Sequence, residues 1–306
     1  MITPQGLKIS TLMRHIGLPL ALLFTFDIVV VVSYVYLKWT WVALPEIPLS
    51  IFGGAIGVLV TFRNTSSYQR WWEARTLWGA IVNHSRSLAR QATTMMVPVH
   101  DGDEEQACLA AMTRRIVYYQ IAYLNALRCH LRGQEPWGQL EHLIPENEMA
   151  SLRQQNNVAV EIQRRIGSLL WQCFRSGWLD DIRWRALDST LSDLANAQGG
   201  AERINNTPLP KQYEYLQELF VRVYCALLPL GMVANLGLLT PIGSTLVGFT
   251  LLALDRIGRD PESPFENSIY DVPLTSICRT IEFNLRQQLA EADVPPPEQP
   301  VGGVLW

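Results

Sequence analysis

The sequence contains no Cys-x-x-Cys pair, no glycine-rich phosphate loop, no His-Glu-x-x-His and no Gly-x-Ser-x-Gly. Metal-centred, phosphoryl-transfer and serine-hydrolase chemistry each lack the spacing they require. The five cysteines, Cys108, Cys129, Cys173, Cys225 and Cys278, form an odd and scattered set. They build neither a disulfide framework nor a zinc site, and read as reduced thiols packed as small hydrophobes. His15, His84, His100, His130 and His142 are equally isolated, so none is placed as a catalytic base. Charge is scarce too: Asp, Glu, Lys and Arg make up 17% of the 306 residues, against roughly 25% in ordinary soluble domains. The net charge of −3 gives no global basic footprint, so composition gives nucleic acid little support and none is expected as a partner.

What is there is apolar. Hydrophobic residues reach 48% and come in long runs, the composition of a membrane protein with a sizeable water-facing part. The first run, 17–39, carries one acid, Asp27, and no base before Lys38; it continues without a small-residue cleavage site, as an anchor does and a signal peptide does not. The second, 48–70, is apolar from Pro48 to Phe62 and then polar, yet contains no proline or glycine after Gly57 that would stop the helix. A helix split in this way fits a central axis better than a uniform lipid face. The third and fourth, 215–237 and 238–258, form a pair around a short uncharged turn, and Glu218 and Arg222 share one helix face by their spacing.

Basic residues set the topology. Lys8 and Arg14 precede the first run, and Arg63, Arg70, Arg75, Arg86 and Arg90 follow Phe62. Four spans with both termini in the cytoplasm satisfy the positive-inside bias. Residues 75–214 and 259–290 then form a cytosolic region, where Leu109, Met112, Ile116, Tyr119, Tyr123, Leu127 and Leu131 recur at helical spacing. Arg114, Arg115, Arg128 and Arg132 are left for solvent or partners. Further helices are expected at Val158–Cys173 and Leu179–Leu194, a loop at Gly133–Pro145, and a proline-rich tail at 291–306. Residues 1–290 read as one integrated domain.

In the second span, Gly53, Gly54, Ala55 and Gly57 permit close backbone approach, while Val58 and Phe62 stand four apart on one face. Rings of such side chains in an oligomer make an apolar constriction. Ordinary small-residue packing explains the same pattern equally well, and a secondary transporter or a helical scaffold shares the hydropathy, although no internal repeat is visible.

Three blocks resemble the bestrophin family in its bacterial branch: "FRNTSSYQRWWEARTLWG" from Phe62, "ERINNTPLPKQY" from Glu202, and "DRIGRDPESPFENSIYDVPLTSICRTIEFNLRQQL" from Asp255. The resemblance implies an all-α homopentamer in the bacterial inner membrane, with four transmembrane helices and a large helical cytosolic region per subunit. It implies one central pore for small monovalent ions, cations being favoured in a bacterial member and chloride or other anions the alternative. By the same resemblance the pore neck falls on Gly54, Val58 and Phe62, the first departing from the large apolar residue usual there, and a cytosolic constriction falls on Ile204, taken to lie in a polar loop. Asn64, Ser67, Trp71, Trp72 and Arg75 belong to the pore exit and its helix packing. The calcium-clasp region of animal members matches Asp260, Ser263, Pro264, Phe265 and Asp271, but its acids are thinned, which argues against calcium activation. No cofactor is expected, and the partners are further copies of the chain, membrane lipids and permeating ions.

Overall fold

The computed structural model describes residues 1–2 and 9–306; the expectation placed on Lys8 lies outside the described residues. The elements are helices: α1 (Ile9–Val31), α2 (Glu46–Met95), α3 (Asp103–Leu131), α4 (Trp137–Leu140), α5 (Glu146–Leu152), α6 (Val158–Arg175), α7 (Asp181–Asn206), α8 (Lys211–Leu236), α9 (Thr240–Arg259) and α10 (Leu274–Gln288). Two compact units divide the chain, one of Pro4–Trp71 and Pro208–Ser263, the other of Met1–Thr3, Trp72–Thr207 and Pro264–Trp306.

The first unit is apolar. Among the described residues, Met13–Tyr36 and Glu214–Arg259 are the two helical stretches long and apolar enough to cross a membrane, the second holding most of α8 and all of α9. On α1, Leu18, Leu22 and Val29 are exposed while Ile16, Leu23 and Val30 are buried. A helix with large apolar residues on its outward face suits hydrocarbon, not water. It ends in a π-helical turn, Val32–Tyr36, followed by Lys38 at φ 60°. The inner faces meet in a cluster of Leu23, Ile56, Val60, Val221, Tyr224, Cys225 and Leu228. Asp27, fully buried in this unit, accepts a hydrogen bond from Thr245 Oγ1 at 3.2 Å.

The long α2 runs unbroken through the polar stretch after Phe62, as its lack of proline and glycine predicts. Hydroxyls help it do so. Thr61, Ser66 and Thr76 each return a hydrogen bond to the carbonyl four residues back, at 2.8, 3.0 and 2.9 Å, so polar side chains sit in the helix without competing for its amides.

The second unit is built around α3. Every residue from Tyr119 to Cys129 is buried, so this stretch of the helix is enclosed on all sides by its neighbours, α6 and α10 packing against α3. Helix starts are capped where the sequence offers an acceptor: Asn157 takes the amide of Val160 at 3.2 Å, and Asp180 that of Arg183 at 2.8 Å. The cap explains why α7 begins at Asp181 and not Leu179. At its other end α7 passes Leu194 and continues through Gly199 and Gly200 to Asn206. A Cβ at Gly200 would approach the Leu77 side chain to 2.8 Å, so that glycine serves helix packing and not a helix stop.

Two sequence expectations are corrected here. Arg128 does not face solvent: it is 8% exposed and bonded to Thr275 at 3.1 Å. The 133–145 segment contains the one-turn helix α4. The tail at 291–306 has no helix but is tied down, since Ser276 donates its amide to Trp306 O at 2.6 Å and Leu305 donates to Met1 O at 2.9 Å.

Candidate functional site

Along the first part of α2 the two faces differ. Ile56, Val60, Arg63 and Ser67 are buried, at spacings of three and four. Gly54, Val58 and Phe62 run along the opposite side and are exposed, Val58 by 55% and Phe62 by 67%. Burial of a valine or phenylalanine side chain is worth about 1.5–3 kcal/mol. The protomer leaves that stabilisation unused on one file while taking it on the other.

The glycines separate in the same way. A Cβ on Gly53 would collide with the Tyr224 hydroxyl, so its absence is what lets α2 and α8 approach. A Cβ on Gly54 would meet nothing within 4 Å. Packing within the protomer therefore explains Gly53 and not Gly54.

Just past Phe62 the helix is pinned by charge. Arg63 Nη2 lies 2.8 Å from Glu262 Oε2, and Nη1 lies 3.5 Å from Asp255 Oδ1. Asp255 also accepts from Gln217 Nε2 at 2.9 Å and from Arg259 Nε at 3.1 Å. Arg259 reaches Glu218 at 2.8 Å, and Glu218 is shared with Arg222, the pair anticipated from their spacing. Asn64 donates to Leu254 O at 3.0 Å, and Arg70 Nε to Glu262 O at 2.7 Å. Sequence reasoning missed Glu262 and Asp255 as partners of Arg63; only the Glu218/Arg222 spacing hinted at an ion-pair network there.

The other exit residues part company. Ser67 is fully buried, Trp71 half-buried, Trp72 and Arg75 exposed. Ile204 does not lie in a polar loop but in the last turn of α7, and it is 3% exposed. The prolines that stop the helix, Pro208 and Pro210, come after that turn.

In the clasp-like region the acids are separately engaged. Asp260 Oδ1 pairs with Arg256 at 2.9 Å. Asp271, 2% exposed, accepts from the Ser268 amide at 2.9 Å and from its hydroxyl, and burial pushes its carboxyl above the usual range. Ser263 is half-buried, whereas Pro264 and Phe265 are buried and the Pro264 carbonyl accepts from Val272 N at 3.1 Å. Among the described residues no group of three or more His, Cys, Asp or Glu side chains is placed to hold a metal ion.

The family model described as bacterial and fungal bestrophin protein matches residues 7–287. The chain is similar to the voltage-dependent anion channel-forming protein YneE of Escherichia coli K12, with 32% identity over 94% of this chain and 90% of that one. Its similarity to a protein of the same description from Nostoc is 34% over 78% of each. A crystal structure of a bacterial bestrophin homolog from Klebsiella pneumoniae superimposes with a TM-score of 0.83 at 31% identity, covering 91% of this chain and 100% of that one. These likenesses extend over both compact units and carry an all-α fold with a large helical cytosolic region, in a family of ion-conducting membrane proteins without catalytic function. The chain belongs to the bestrophin family, in its bacterial and fungal branch.

Proposed function

We propose that the protein is an anion-selective channel, a homopentamer in the bacterial inner membrane with its pore along the five-fold axis. Each subunit contributes spans at about 17–39, 48–70, 215–237 and 238–258, with both termini cytoplasmic, residues 1–290 acting as one domain and 291–306 as its tail. The observation that carries the reading is the exposed file of Gly54, Val58 and Phe62 on a helix whose opposite face is packed. Five copies of that file around an axis form apolar rings. Such rings cannot replace the hydration shell of an ion, so they hold the resistance of the path and gate by wetting and drying.

The sequence favoured monovalent cations. The names of the relatives favour the alternative, since those from Escherichia coli, Mesorhizobium and Nostoc are all described as anion channel-forming. Uncharged rings do not choose a sign by themselves, so selectivity rests on the surrounding potential. The cytosolic constriction at Ile204 enters the proposal with a condition. A side chain 3% exposed in the protomer lines a passage only where the last turn of α7 rearranges on assembly. Calcium is not assigned a role, because Asp260 and Asp271 already engage Arg256 and Ser268.

Reversal potentials of the purified protein in planar bilayers, under a sodium chloride gradient and then with substituted ions, test the selectivity. A reversal near the chloride potential is expected; one near the sodium potential overturns anion selectivity. Electron microscopy of the detergent-purified protein tests the assembly, and a monomer or dimer without a central passage removes the channel reading.

A further inference from the structure

Two guanidinium groups in the second unit share one hydroxyl. Arg128 Nη1 donates to Thr275 Oγ1 at 3.1 Å, and Arg132 Nη1 donates to the same oxygen at 2.8 Å. Two positive charges are thus held on a neutral acceptor. Neither has a carboxylate within 4.0 Å among the described residues. The Nε–H groups of both are buried and meet no acceptor among the described residues. Burial, and after it the neighbouring Arg128, lower the pKa of Arg132, as expected of an under-compensated pair.

Among the described residues, no side chain hydrogen-bonded to the pair carries a negative charge. Cys129 and Cys278 adjoin the pair, but burial raises the first thiol and pushes the second to about 12, so both are neutral at physiological pH. Asp271 acts on Arg132 through space, yet its oxygens are engaged by Ser268. An uncompensated buried charge is costly, and a pair of them more so.

Arg128 and Thr275 also form part of the wall of a cavity of about 470 Å³ between α3, the segment around α4, and α10. Arg128 is 8% exposed. The other arginines of that wall are paired: Arg279 and Arg286 each lie 3.0 Å from Glu282. Thr275 stands in the first turn of α10, where the helix dipole adds positive potential. Asp293 and Glu298 lie at the exposed rim. Their charge disfavours a multiply charged anion, and the volume far exceeds what a halide needs.

We propose that this cavity binds a small monocarboxylate, whose negative charge lies against the Arg128 side chain in the cavity wall and neutralises the Arg128–Arg132 pair. None of the cavity's lining residues is among the candidate pore residues, and the proposal goes beyond the channel reading, whose selectivity is measured separately.

The test is thermal unfolding of the full-length protein in detergent, titrated with sodium propionate at constant ionic strength made up with sodium chloride. A saturable rise in midpoint is expected for the parent, with apparent affinity at least tenfold weaker in Arg128→Gln. Thr275→Val, which keeps the volume and removes the shared hydroxyl, provides a second variant should the first fail to assemble; it is expected to weaken binding in the same sense. Arg183→Gln, at a residue that does not line the cavity, should titrate as the parent does. A linear response equal for propionate and chloride, or saturation unchanged in the cavity variants, overturns the proposal.

Discussion

Arg63 donates from Nη2 to Glu262 across 2.8 Å, one residue after the exposed Phe62 on α2. The arginine side chain is 4% exposed and its partner 19%, so the pair fixes the rotation of α2 as well as its charge. Removing one member of a buried pair leaves the other uncompensated, at a cost of about 3–5 kcal/mol. Arg63→Ala should therefore lower the unfolding midpoint of the purified protein sharply. Arg63→Lys should recover only part of the loss, because an ammonium cannot fork between Glu262 and Asp255. A midpoint unchanged in Arg63→Ala would show that the network contributes nothing measurable.

Gly53 and Gly54 give opposite expectations for the same change. Gly53→Ala drives a Cβ into the Tyr224 ring and should destabilise the protein by about 1–3 kcal/mol through overpacking. Gly54→Val meets open space within the protomer, so unfolding should be nearly unaffected while single-channel conductance falls as the ring narrows. A conductance equal to the parent's would move Gly54 out of the neck.

Phe62→Ala and Val58→Ala remove exposed apolar surface and should raise conductance or open probability without loss of assembly. Single-channel recording gives the answer. Unchanged gating and conductance in both would make this file a packing surface.

Ile204→Ala separates two roles through two measurements. A residue 3% exposed in α7 that only fills the core should cost about 2–5 kcal/mol on truncation and leave conductance unaltered. A constriction should show altered ion permeability with a smaller stability loss. The burial in the protomer leads us to expect the stability effect as the larger of the two.

Glu105 provides a pH dependence. Its carboxylate accepts the amides of Val99 and His100 at 3.0 and 2.8 Å and the Trp178 indole at 2.8 Å. These bonds, that of Val99 first, hold its pKa at about 2. A depressed carboxylate stabilises the fold above its unfolded pKa of about 4.3 and loses that contribution as pH falls toward the folded value. The gap in unfolding midpoint between parent and Glu105→Gln should accordingly be full at about pH 6 and shrink below about pH 4. A gap independent of pH would contradict the assignment.

Helix existence was legible wherever one periodicity ran long enough. The α3 positions Leu109, Ile116, Tyr119, Tyr123 and Leu127 are all buried, and α6 begins at the expected Val158. The unbroken passage of α2 through "RNTSSYQRWW" followed from its lack of breakers. Burial of polar residues was not legible in the same way. Arg128 shares a helix with the exposed Arg114 and Arg115, and only the approach of Thr275, far along the chain, encloses it. Gly199 and Gly200 carry a local preference for a stop, which packing against Leu77 overrides; that extension brings Ile204 into the helix.

By itself the sequence determined the membrane character, the helical class and the family, because hydropathy, period and motif blocks are written locally along the chain. Tertiary structure alone decided which face of α2 is packed, which acids hold Arg63, and which arginines are left without a counter-charge. Those outcomes depend on residues such as Glu262 and Thr275, more than one hundred positions from their partners, and a pattern along the chain cannot encode a distance between its remote parts.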